Sequence, residues 1–192
     1  MPRSTPPFRA DHVGSLLRPE RLLKAREDHA AGRIDDDELK AIEDDSIRDV
    51  VRMQEDVGLQ SATDGEFRRA SWHMDFIYQL EGIEKAEDDL VVHFHNPDGD
   101  IDYTPAALKV TKKIDLHEPT FGDDFKFLRD TVTTATPKLT IPSPSMVHYR
   151  GGAAAIDPDV YPDKDEFWTD LTSAYAKQVK ICLLYTSDAA DE

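Results

Sequence analysis

The feature that most constrains this chain is an alternation of periods: short apolar runs that close on small or acidic residues, separated by stretches of helical spacing. Phe8 to Ser15 reads as a first strand closing on Gly14-Ser15, where the missing glycine side chain lets backbone approach a ligand. Leu59 to Thr63 reads as a second, closing on Asp64-Gly65-Glu66, and Lys138 to Ile141 as a third, running into Pro142-Ser143-Pro144-Ser145. A helix is expected from Pro19 to near Gly32, since proline suits a helix start. The next opens on a capping-box pair, Asp35 with Glu38, carries Ile47, Val50 and Val51 on one stripe, and meets Gly58 as its cap. Helical spacing returns at Phe125, Leu128 and Val132. A last helix opens with Asp163 and Glu166 and buries Phe167, Leu171, Ala174 or Tyr175, and Val179. This alternation predicts the α/β class with parallel strands, whose chemistry sits where strands end. From Gly82 to Leu116 the period falls to two around Asn96-Pro97-Asp98-Gly99, which predicts an inserted β-hairpin.

At 192 residues the chain is one domain or part of a larger one, and 39% apolar residues suffice for a core. Its 39 acidic against 23 basic residues, a net charge of -16, argue against nucleic acid as a partner, because phosphate would be repelled. No apolar run approaches the roughly 18 residues of a membrane span, and no membrane partner is expected. Met1 to Arg9 lacks the apolar core of a signal peptide. Cys182 is the only cysteine, so no internal disulfide can form, and the absent signal peptide leads to the expectation of a cytoplasmic setting. The phosphate-binding loop, the dinucleotide fingerprint, the nucleophile elbow, H-E-x-x-H and C-x-x-C are all absent from the sequence.

Glu66 has two readings at this point. A carboxylate at a strand end can bind an ammonium group or exchange a proton; with Asp64, it could equally offset the free amides of a helix start. Arg68, Arg69, Trp72 and His73 make the same loop denser in functional groups than solvation requires. His12 and Ser15 flank the first strand end, His12 reading more simply as a structural residue. His93 and His95 share one strand face and could begin a metal site, but they read more simply as a solvated edge. The residues alone thus give an α/β enzyme with a polar site at its strand ends.

Three stretches in order carry a resemblance: Asp11-His12-Val13-Gly14-Ser15-Leu16-Leu17-Arg18-Pro19, then Asp64-Gly65-Glu66-Phe67-Arg68-Arg69 with Trp72-His73, then Thr140-Ile141-Pro142-Ser143-Pro144-Ser145. From Phe8 to Ile181 the chain resembles the cobalamin-independent methionine synthase family, and in particular single-domain bacterial relatives similar to its catalytic half. The resemblance implies a TIM (βα)8 barrel of the methionine synthase and uroporphyrinogen decarboxylase-like type, of which residues 8–181 would carry about three βα units. It implies methyl transfer to the sulfur of homocysteine, from a folate or another donor, with zinc as the metal. Val13, Gly14, Ser15 and Glu66 take the positions that hold the amino-acid part of the substrate. His12, Asp64, Arg69, Trp72, His73, Ser143 and Ser145 are further pocket candidates.

The family's zinc ligands and proton donor are not found in this sequence. They are expected in a missing C-terminal part, so metal-ligating and catalytic residues are expected outside this chain. Three strands would leave an open edge, and the chain as written is expected to be insoluble or molten, and inactive. Two alternatives stand beside this reading: a non-catalytic acidic domain that binds an amino acid or a protein, and a zinc-dependent alkyltransferase acting on another thiol. Residues 182–192 resemble the translation of an adapter used in sequencing libraries and are expected to be non-native.

Overall fold

The structure, a computed structural model, describes residues 12–86, 92–96, 99–103 and 107–187. It divides into two units: Met1–Trp72 with Phe121–Thr140, and His73–Thr120 with Ile141–Glu192.

The first unit opens on an extended segment rather than the expected strand. Residues 12–19 pair with no strand among the described residues, and Gly14 bends them at φ +123°; Phe8 to Asp11 lie outside the described residues. Helix α1 (Glu20–Ala30) follows, with Pro19 at its N-cap rather than inside its first turn. Helix α2 (Asp36–Asp56) starts on the full capping box: the Glu38 amide donates to the Asp35 carboxylate at 2.9 Å, and the Asp35 amide donates to the Glu38 carboxylate at 3.1 Å. Its stripe of Ile47, Val50 and Val51 is buried, together with Leu22 and Ala25 of α1. Complete burial of such aliphatic side chains stabilises by about 1.5–3 kcal/mol each.

Strand β1 (Ser61–Ala62) is short, and helix α4 (Gly122–Thr131) buries Phe125 and Leu128 before ending at Val132. Strand β6 (Thr136–Pro137) pairs in parallel with β1, Ser61 opposite Thr136 and Ala62 opposite Pro137. The third expected strand therefore lies just upstream of Lys138–Ile141. It stays short because Pro137 has no amide to donate. The Lys138 amide still donates to the Ala62 carbonyl at 2.9 Å, which fixes where the chain leaves the pair.

Glu55, near the end of α2, locks the turn after α4. Its Oε1 accepts the amides of Thr133, Thr134 and Ala135 at 2.8, 2.7 and 2.9 Å, and its Oε2 accepts the Thr133 hydroxyl at 2.8 Å. Burial works against the carboxylate, but these donors outweigh it and hold its pKa down at about 2.

In the second unit, helix α3 (Met74–Ile77) buries Met74, Phe76 and Ile77. Strands β2 (Glu81–Ala86) and β5 (Ala107–Asp115) pair antiparallel, with an irregularity between Glu81 and Ile83. Strands β3 (Val92–Asn96) and β4 (Gly99–Tyr103) form a second antiparallel pair. Val91, Pro97, Asp98 and Ala106 lie outside the described residues, as do the side chains of His93 and His95. On β5, Leu108, Val110 and Ile114 are buried, the alternation expected of a strand with one covered face.

Helix α5 (Ser145–Gly151) and helix α6 (Lys164–Ser187) complete the unit. Helix α6 buries Phe167, Leu171, Ala174 and Tyr175, but Val179 is exposed, contrary to the sequence reading. Gln178 takes the inward place because it closes both hydrogen bonds of the Thr120 backbone, accepting from its amide at 2.8 Å and donating to its carbonyl at 2.9 Å. The helix continues through residues 182–187, into the segment expected to be non-native. No helix among the described residues is long and apolar enough to cross a membrane.

Candidate functional site

The sequence 63–69 is built to make a turn that cannot relax into regular structure. Gly65 and Glu66 both have positive φ, +69° and +59°. For glutamate that conformation costs of the order of 1–3 kcal/mol and persists only where neighbours hold it. Several do. The Glu66 amide donates to the Asp64 carboxylate at 2.9 Å, and the Gly65 amide donates to the Thr63 hydroxyl at 3.2 Å. Arg18 donates to the carbonyls of Glu66 at 2.9 Å and Arg69 at 2.6 Å, while Arg26 donates to the carbonyls of Phe67 and Arg69.

Two further hydrogen bonds stitch the first segment to this turn. The Thr63 hydroxyl donates to the Gly14 carbonyl at 2.7 Å, and the Leu16 amide donates to the Gly65 carbonyl at 3.1 Å. Gly14 is buried, and a side chain there would meet the Thr140 methyl carbon at 2.4 Å. Only glycine fits this left-handed, crowded position.

Glu66 is buried, and its Oε1 accepts the Thr140 hydroxyl at 2.7 Å. The same oxygen lies 3.5 Å from Nη1 of Arg69, which is also buried and stacks its guanidinium over the Phe121 ring at 4.2 Å. Behind the turn, Gln54 is fully buried and satisfied from every side. Its Nε2 donates to the Val50 and Thr63 carbonyls, and its Oε1 accepts the Thr63 amide at 3.0 Å and pairs with His12 Nε2 at 2.7 Å. His12 is thus a structural partner, and its carbonyl accepts Lys138 Nζ at 2.6 Å.

Arg68 anchors the turn from outside. It pairs with Glu43 at 3.3 Å, Asp44 at 2.6 Å and Asp124 at 2.9 Å, with its guanidinium over the Phe127 ring at 5.0 Å. Burial pushes the Asp124 carboxyl up to about 6. Asp64 and Glu43 push the same way, and with burial they prevail over the opposing pull of Arg68 and Arg69.

The predicted residues are shared between the two units. Gly14, Asp64, Glu66 and Arg69 form one buried polar centre in the first unit, with Ser15 exposed beside it and His12 behind it. Val13 turns its side chain to solvent, and Trp72 is half exposed. In the second unit His73 is buried at the start of α3, and the exposed Ser143 and Ser145 hydroxyls bond each other at 2.9 Å. Sequence reasoning missed Thr140 as a site residue, and also Gln54, Arg18 and Arg26, because their partners lie far along the chain. Among the described residues no three His, Cys, Asp or Glu side chains are grouped to hold a metal ion. The described residues do not fit the zinc that the resemblance implies.

No protein-family model matches the chain. It is 42% identical to the uncharacterised Bacillus subtilis protein YxjG over 93% of its own length and 46% of that protein. It is 25% identical to the methionine synthase of Pyrococcus furiosus over 88% of its length and 46% of that enzyme. Among solved structures it matches a candidate vitamin-B12-independent methionine synthase of Listeria monocytogenes with a TM-score of 0.76 and 37% identity, covering 95% of this chain and 50% of that one. The chain thus spans about half the length of the curated relatives it matches, and its structural neighbours have TIM-barrel-like folds.

Proposed function

We propose that this chain, whose homologues and structural neighbours are cobalamin-independent methionine synthase-like, forms the amino-acid-binding part of an S-methyltransferase acting on homocysteine. The observation that carries this reading is the stitching of Gly14 and Leu16 to Thr63 and Gly65. It brings the backbone of the first motif beside the buried carboxylate of the second. Glu66 pairs with the ammonium group of the substrate, and the Gly14-Ser15 backbone with the Ser15 hydroxyl receives its carboxylate. An ammonium held against a desolvated carboxylate makes a charge-assisted contact stronger than a neutral hydrogen bond. In the reaction the donor's methyl–heteroatom bond breaks with its electron pair staying on the heteroatom, a sulfur–carbon bond forms, and the thiol proton passes to that heteroatom. In this reading the zinc that activates the thiol and the methyl donor, a folate or another, belong to a part of the protein beyond the residues described.

Calorimetric titration of the full chain with L-homocysteine, repeated on Glu66→Ala, tests the reading. Saturable binding that falls at least tenfold in the variant is expected. Absence of binding by the unaltered chain, or equal binding by the variant, would refute it.

A further inference from the structure

We infer that Thr140 is a positioning residue that sets which oxygen of Glu66 meets the substrate, an inference that rests on the amino-acid-binding reading above. Three observations converge on it. The Thr140 hydroxyl donates to Glu66 Oε1 at 2.7 Å. The Arg69 guanidinium lies 3.5 Å from that same oxygen. The methyl carbon of Thr140 occupies the space that a side chain at position 14 would need, 2.4 Å from where a Cβ would sit. One side chain therefore touches both pieces of the site, its hydroxyl on the carboxylate and its methyl on the glycine backbone.

The consequence is an asymmetric carboxylate. Oε1 carries both the Thr140 hydrogen bond and the Arg69 ion pair, while among the described residues Oε2 carries neither kind of contact. A buried carboxylate with one satisfied oxygen presents the other to an incoming donor, and an ammonium group supplies three donors. Because Glu66 already sits at φ +59°, its side chain starts from a direction that unrestrained glutamate seldom takes. The hydroxyl fixes the remaining torsions. Valine at 140 keeps the methyl packing on Gly14 but removes that fix, whereas serine keeps the hydroxyl and removes the methyl.

The test is a ligand-by-variant cycle on the full chain, with L-homocysteine and its des-amino counterpart 4-mercaptobutanoate as the two probes. Thr140→Val should weaken homocysteine binding by about tenfold, the size of one lost hydrogen bond to a charged group, and leave 4-mercaptobutanoate binding unchanged. Thr140→Ser should restore homocysteine binding to within about threefold. Thr140→Ala serves as a second hydroxyl-free variant should valine fail to fold, with the same ligand-selective loss expected. Equal losses for both ligands, or equal losses for valine and serine, would overturn the inference while leaving the amino-acid site intact. Failure of the unaltered chain to bind homocysteine would overturn both.

Discussion

Replacing Glu55 by glutamine copies its protonated form at neutral pH and isolates the carboxylate that closes the turn at residues 133–135. Three backbone amides and one hydroxyl converge on it, so the negative charge, not the shape, is what glutamine removes. The ordinary value of 4.5 is brought down to about 2, which corresponds to about 3 kcal/mol at 1.36 kcal/mol per pKa unit. Solvent screening of this part-exposed group reduces that to about 1–2 kcal/mol. The sign is that of a depressed acid. Its stabilisation is full above pH 4.5 and disappears as the pH falls towards 2. Hydrogen exchange of the amides at 133, 134 and 135 reads the effect directly, because their protection measures local opening. In Glu55→Gln at pH 7 exchange at these amides should quicken by about five- to thirtyfold, while amides in the middle of α1 stay as they were. Unchanged rates at 133–135, or an equal increase throughout α1, would refute the reasoning. A chain without fixed tertiary packing would show no protection there even before substitution, so the same measurement tests the expectation that the isolated chain is molten.

Other outcomes follow from the same packing. Gly14→Ala forces a methyl group against the Thr140 methyl carbon at a left-handed backbone position, and it should abolish homocysteine binding measured by calorimetry; retained affinity would contradict the geometry. Arg68→Ala leaves Glu43, Asp44 and Asp124 without their shared cation and should lower stability in urea unfolding by about 3 kcal/mol. Asp124, raised from 3.8 to about 6, takes up a proton on folding. Its contribution is present below pH 3.8 and lost as the pH rises through 6. Asp124→Asn should therefore flatten the fall in stability between pH 4 and pH 7 by about 1–2 kcal/mol, read from urea midpoints across that range. Gln54→Leu strips four hydrogen bonds from a fully buried position and should cost about 2–4 kcal/mol.

What the sequence disclosed was what depends on neighbours in the chain. The Asp35 and Glu38 cap is a three-residue spacing, and both of its hydrogen bonds form. The stripe of Ile47, Val50 and Val51 is likewise local. Strand limits were harder to read, because Gly14 at positive φ and Pro137 without an amide interrupt runs that look extended by composition. Least legible were polar residues whose partners lie far off. Gln178 turns inward for the Thr120 backbone, displacing Val179 from the expected stripe. Thr140 reaches Glu66, 74 positions back along the chain, and Lys138 reaches His12, 126 positions back. In the candidate site, Gly14, Asp64, Glu66 and Arg69 could be named from motif and strand-end reasoning. The hydroxyl on Glu66 could not, since a threonine before a proline-rich run carries no local sign of its partner.

The clamp that Arg18 and Arg26 place on the carbonyls of Glu66, Phe67 and Arg69 bears on how a ligand would come and go. Active-site turns without regular structure often serve as swinging covers. Here the two guanidiniums flank α1 at its start and along its length, so the turn is tied to a helix at several points and moves only if that helix moves. Traffic past Glu66 would then be governed by whatever lies over the exposed Val13, Ser15 and Leu17 side chains, while the turn itself acts as a fixed wall.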